Sequence, residues 1–66
     1  MISFEVQDMT CGHCVGAITK AVQAADAQAQ VRIDLAAHRV DIEPGQTDAA
    51  RLAEAIREAG YTPVAV

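Results

Sequence analysis

The sequence predicts an α+β sandwich of order βαββαβ, in which a four-stranded antiparallel sheet carries two helices on one face. Three observations lead there. Apolar and polar residues alternate strictly in three stretches, apolar residues recur at helical spacing in two alanine-rich stretches, and glycine or proline marks the joins between them.

Ile2, Phe4 and Val6 alternate with Ser3, Glu5 and Gln7, the period of a strand with one dry and one wet face, running to about Gln7. Asp8 to His13 carries turn residues and a glycine. Val15, Ile18, Val22 and Ala25 then follow at helical spacing, which sets the start of the first helix near Cys14. Val31, Ile33 and Leu35 alternate with Arg32 and Asp34, and Val40 and Ile42 with Arg39, Asp41 and Glu43, so a hairpin turns at Ala36-Ala37. His38 opens its second strand in this scheme, as a surface residue far from the first loop.

Pro44-Gly45 ends that strand, Thr47 or Asp48 caps, and Ala49, Leu52, Ala53 and Ile56 form the stripe of the second helix. Gly60 is a natural left-handed stop. Tyr61 to Val66 is a short last strand, and Pro63, which cannot donate to a ladder, puts it at a sheet edge. Uniformly polar outward residues leave one sheet face to water, and right-handed crossovers then give the split-βαβ, ferredoxin-like sandwich. The elements fill residues 1–66 as a single domain, the pattern of a whole small protein and equally of a domain cut at its boundaries.

At 66 residues, with fourteen alanines, the chain has only 18 large apolar side chains beyond its two cysteines. Its core must be thin, and a deep substrate pocket has no room, so binding or carriage is favoured over catalysis. The net charge is −4, and Lys20, Arg32, Arg39, Arg51 and Arg57 do not cluster. With Phe4 and Tyr61 as the only aromatics, nucleic-acid binding is not expected. No apolar run reaches the ~18 residues of a membrane span and no signal peptide is apparent, so a cytoplasmic protein without membrane insertion is expected.

The chemistry is concentrated in Cys11-Gly12-His13-Cys14. Cys11 lies in the loop and Cys14 in the first helical turn, where free backbone N–H groups and the helix dipole favour thiolates. Two thiolates at this spacing can converge on one soft monovalent ion, and the set suits linear or trigonal copper(I). Structural zinc wants four ligands, and only His13, His38, Asp8 and water stand by to complete them. The rival use is thiol–disulfide exchange, since the same tetrapeptide serves protein disulfide isomerases. A thioredoxin fold, however, needs a longer chain, and here Thr10 stands where that fold has an aromatic.

The run Met9-Thr10-Cys11-Gly12-His13-Cys14 at a strand-to-helix loop, with Gly60-Tyr61-Thr62-Pro63 before the last strand, resembles the heavy-metal-associated domain family across the whole chain. Single-domain members of this length resemble the bacterial cytosolic copper chaperones, which carry copper(I) to copper-exporting P-type ATPases. The resemblance implies that Cys11 and Cys14 are the metal ligands, that Met9 packs beneath the loop, and that Tyr61 sits near the metal. It implies as partner the metal-binding domain of a copper-transporting P-type ATPase. The metal-free chain is expected to be a monomer, and the exposed cysteines open a route to a metal-bridged homodimer. A detached metal-binding domain of a copper or mercury transporter is the related alternative.

His13 is a candidate third donor, set against an ordinary exposed loop imidazole. Met9 offers a thioether, although a core role suits it better. Gly16 interrupts the first helix at a cost of roughly 1 kcal/mol against alanine. With Ala17, Ala21 and Ala24 it makes a low-relief face suited to transient contact. Only Lys20 is basic there, so the lysine-rich docking face of eukaryotic members is missing.

Overall fold

In the computed structural model, which describes residues 1–66, the alternating stretches become strands and the 3.6-period stretches helices. The order is β1 (Ile2–Val6), α1 (Gly12–Ala25), β2 (Gln30–Asp34), β3 (Arg39–Glu43), α2 (Ala49–Glu58) and β4 (Pro63–Ala65). The four strands form one antiparallel sheet in the order β2-β3-β1-β4. Ile2 faces Ile42 and Phe4 faces Val40 across β1 and β3, so the apolar positions of the central pair fall on one face. Both helices cover that face, giving the ferredoxin-like sandwich.

The core is Phe4, Val6, Val40 and Ile42 from the sheet, Cys14, Ile18 and Val22 from α1, and Leu52, Ala53 and Ile56 from α2, with Met9 and Ala29 closing its ends. Full burial of one large apolar side chain contributes about 1.5–3 kcal/mol, so the few present must nearly all be used. Ser3, Arg39 and Asp41 occupy the open face as a polar cluster: Ser3 donates to Asp41 Oδ1 at 2.6 Å, and the Arg39 guanidinium meets the same oxygen at 2.9 Å.

Several boundaries differ from the sequence expectation. α1 begins at Gly12 rather than near Cys14, with Cys11 as its N-cap but no side-chain capping bond. Its buried stripe is Cys14, Ile18 and Val22, while Val15 is half-buried and Ala25 exposed. Cys14, expected in the first helical turn for its chemistry, is also the top residue of the core stripe. α2 is capped by Asp48, whose side chain accepts from the Arg51 N–H at 3.0 Å, and Ala49 is exposed. β4 is shorter than expected, spanning Pro63–Ala65 at the sheet edge.

His38 closes the hairpin turn with φ 55 instead of opening β3. Its carbonyl accepts from the Val6 N–H at 2.7 Å, which puts the half-buried His38 at the same end of the sheet as the cysteine loop, not far from it.

The opposite end is tied by Asp26, just past α1. Its carboxylate is buried, and Oδ2 accepts from the N–H groups of Gly45 (2.7 Å), Gln46 (2.8 Å) and Thr47 (3.1 Å) and from the Thr47 hydroxyl (3.0 Å). Oδ1 accepts from the Gln28 N–H at 3.1 Å. A Cβ at Gly45 would run into Gln28 Cβ and Asp26 Oδ1, so the loop closes on the carboxylate only with glycine there.

Candidate metal centre

Three chain segments meet at the β1 end. The first leaves β1 through a turn closed by Met9 N–H on the Val6 carbonyl at 3.2 Å, which carries Met9 into the core with its side chain fully buried. Thr10 and Cys11 follow on the surface, and the chain enters α1 with the Cys14 N–H on the Cys11 carbonyl at 3.0 Å. This single helical turn brings the two sulfurs to 3.5 Å. Cys11 is exposed and Cys14 is 8% exposed, both as free cysteines, so one sulfur faces solvent and the other is rooted in the core.

The other two segments are the β2–β3 turn with His38 and the link from α2 to β4. α2 ends in a Schellman motif: the Tyr61 N–H donates to the Ile56 carbonyl at 3.3 Å and the Gly60 N–H to the Arg57 carbonyl at 3.0 Å. Gly60 takes φ 98, which a side chain would strain, and this reversal sends Tyr61 back over the core. There it packs against the core that includes Cys14, with its hydroxyl close enough to act on the Cys14 thiol.

That contact dominates the electrostatics. The Tyr61 hydroxyl, then the backbone N–H groups of Thr10 and Cys11, outweigh burial and hold the Cys14 thiol down at about 7. Reciprocally, the Cys14 hydrogen bond, burial and the nearby charges of Cys14, Cys11 and Asp8 push the Tyr61 phenol up to about 12, so it remains a donor at neutral pH. The sequence attributes thiolate character to the helix terminus, whereas the phenol on the neighbouring loop makes the largest contribution.

His13 sits exposed on the first turn of α1, and no third His, Cys, Asp or Glu side chain gathers with the two cysteines into a metal cage. Gly12, His13, Gly16, Ala17 and Lys20 instead line an open depression beside the loop, and a Cβ at Gly16 would meet nothing. Ala21 and Ala24 belong to a separate groove between α1 and α2. Sulfurs 3.5 Å apart span one ion at a bent angle at metal–thiolate lengths of about 2.3 Å, and would part by about 1 Å to hold it linearly. The donor set therefore fits a soft ion of low coordination number.

Residues 3–62 match the heavy-metal-associated domain. The chain belongs to that family. Among its relatives are two transporters of Rhizobium meliloti (strain 1021), copper-transporting ATPase 2 and copper-transporting ATPase 1, each 34% identical, over 62 and 61 residues. Those alignments take in 92% and 91% of this chain but only 8% and 7% of the transporters. Solved structures of similar proteins include a gold binding protein, 36% identical with a TM-score of 0.93, both chains covered in full. Another is the copper chaperone Atx1 from Synechocystis PCC6803 in a trimeric form, 39% identical with a TM-score of 0.92 over 97% of this chain and 100% of that one. This heavy-metal-associated domain thus has copper chaperones and copper ATPases as its kin, with metals other than copper also represented among its structural neighbours. No helix is long and apolar enough to cross a membrane.

Proposed function

We propose that the domain is a copper(I) chaperone of the cytoplasm, which holds one ion between Cys11 and Cys14 and passes it to the metal-binding domain of a copper-transporting P-type ATPase. The observation that carries this is the inequality of the pair: two sulfurs 3.5 Å apart, one exposed and one 8% exposed. A partner thiolate enters beside the exposed Cys11 and displaces it first, while Cys14 retains the ion until a second partner thiolate arrives. The proton balance is simple, because each incoming thiol gives up a proton as it bonds and each departing cysteine takes one back. No bond of an organic substrate is made or broken, consistent with a carrier rather than an enzyme.

Low coordination number supports copper(I) over zinc, and the copper-handling relatives support it over other soft ions. Tyr61 is assigned to the Cys14 side without binding the ion, Met9 to the core beneath the loop, and His13 to the solvent side as a non-ligand. The metal-free domain is assigned as a monomer, and the exposed Cys11 offers the one bridging sulfur a metal-linked pair would need.

Transfer is tested by mixing copper-loaded protein with isotopically labelled, metal-free ATPase metal-binding domain and following the partner's cysteine resonances. Copper should reach the partner on mixing and distribute between the two proteins. Retention of the ion, under conditions where a small chelator removes it, would overturn the proposal. The redox alternative has a specific observation in its favour, the near-contact of two free thiols, and an insulin-reduction assay distinguishes it.

A further inference from the structure

Tyr61 is held from one side by the Schellman motif, but its other neighbour has a problem. Pro63 lies opposite Val6 in the β1–β4 register, but the Val6 N–H and carbonyl are spent on His38 and Met9, so no ladder hydrogen bond pins the start of β4 at that point. Asp8, in the turn after β1, supplies the missing tie. Its Oδ1 accepts from the Thr62 N–H at 3.2 Å and its Oδ2 from the Thr62 hydroxyl at 3.3 Å, across 54 residues of chain. Asp8 and Thr62 are both exposed, so this two-point clip is not required to satisfy a buried group. It joins the turn that leads into the cysteine loop to the residue next to Tyr61. The Asp8 carboxylate also lies within electrostatic reach of the phenol, as its effect on that group records.

We propose that Asp8 is a positioning residue of the metal centre, clipping Thr62 so that Tyr61 stays packed beside Cys14 and slows escape of the ion from the Cys14 side. Asp8 touches neither the sulfurs nor the ion and acts only through Thr62 and Tyr61. The effect on the ion rests on the copper(I) reading above, while the positioning of Tyr61 does not.

Tyr61 is the only tyrosine, so its ring resonances are unambiguous. In reduced, metal-free protein, nuclear Overhauser contacts between the Tyr61 ring and the Cys14 β protons should be present in the wild type, lost or much weakened in Asp8→Ala, and retained in Asp8→Asn. Asparagine can keep both ends of the clip, with its oxygen accepting from the Thr62 N–H and its amide donating to the Thr62 hydroxyl. With copper(I) loaded, release to excess chelator should quicken by roughly three- to tenfold in Asp8→Ala, the range a single hydrogen bond commands, with Asp8→Asn near the wild type. Tyr61→Phe should quicken release too, and Asp8→Ala added to it should change nothing further, because the two act in one chain. Thr62→Val, which removes one of the two bonds, should fall between and serves if Asp8→Ala folds poorly. Ring contacts unchanged in Asp8→Ala, or Asp8→Asn behaving like Asp8→Ala, would overturn the proposal. A protein that held no copper(I) would end the carrier reading while the ring contacts still decided the role of Asp8.

Discussion

Tyr61 packs against the core that holds Cys14, and its hydroxyl is the largest influence bringing that thiol down to about 7. One of the two candidate ligands is thus shifted towards the thiolate before any metal arrives. The group responsible stands on a different loop, 47 residues further along the chain.

Tyr61→Phe removes that donor, so the Cys14 thiol should titrate at higher pH. Thiolate absorbance of the reduced, metal-free protein checks this directly: the Cys14 inflection, near 7 in the wild type, should move upward. Copper affinity should then begin to fall at a higher pH in the variant, by up to about tenfold per unit for each proton displaced. The sign for folding follows from the same shift. Between about 7 and 9.0 the folded chain has given up a proton that the unfolded chain keeps, so metal-free stability rises across that window and is lost as pH falls through 7. An inflection unmoved by Tyr61→Phe would contradict this account.

His13→Ala should bind copper(I) with wild-type affinity, within about twofold, at each pH from about 6 to 8, because its exposed imidazole joins no cage with the cysteines. Chelator competition across that range is the check, and a variant whose affinity diverges from the wild type as pH rises would restore His13 as a ligand.

Asp26→Ala should leave the metal site intact, since about 20 Å of helix separates Asp26 from Cys11. It should nevertheless lower Tm by at least about 10 °C, because several donors lose their acceptor together. Those hydrogen bonds hold the Asp26 carboxyl well below the usual carboxylate range, the backbone N–H of Gln46 contributing most. The stabilisation is therefore complete above the unfolded-state value near 3.8 and is lost progressively as pH falls below it. Thermal melts at neutral pH and in acid test both statements: the gap in Tm between wild type and variant should narrow in acid.

Much of this was legible because short-range patterns express it. Alternation at Ile2, Phe4 and Val6 and again at Val40 and Ile42 reads directly as strands, Gly60 as a helix stop, and Cys11 with Cys14 as a pair one helical turn apart. The start of α1 was harder to read, since its N-cap is Cys11, which carries none of the usual capping oxygens. His38 misled because alternation placed it in a strand, whereas closing the turn required a residue at positive φ, which histidine tolerates better than most. What no local pattern expresses is contact between distant segments. Asp26 gathers donors from 19 to 21 residues away, Asp8 reaches across 54, and Tyr61 comes from the α2–β4 link to the core that holds Cys14. The family resemblance implies that Tyr61 lies near the metal, but only the folded chain sets it against the core beside Cys14.

The most direct test is a competition titration of the reduced protein with copper(I) against a chromophoric chelator under strict anaerobiosis, repeated with Cys11→Ser and Cys14→Ser. One ion should bind per wild-type chain. Affinity should fall in each variant by more than the ~100-fold that changes around a ligand cost, with both variants still folded. Wild-type affinity in Cys14→Ser would contradict the two-thiolate site.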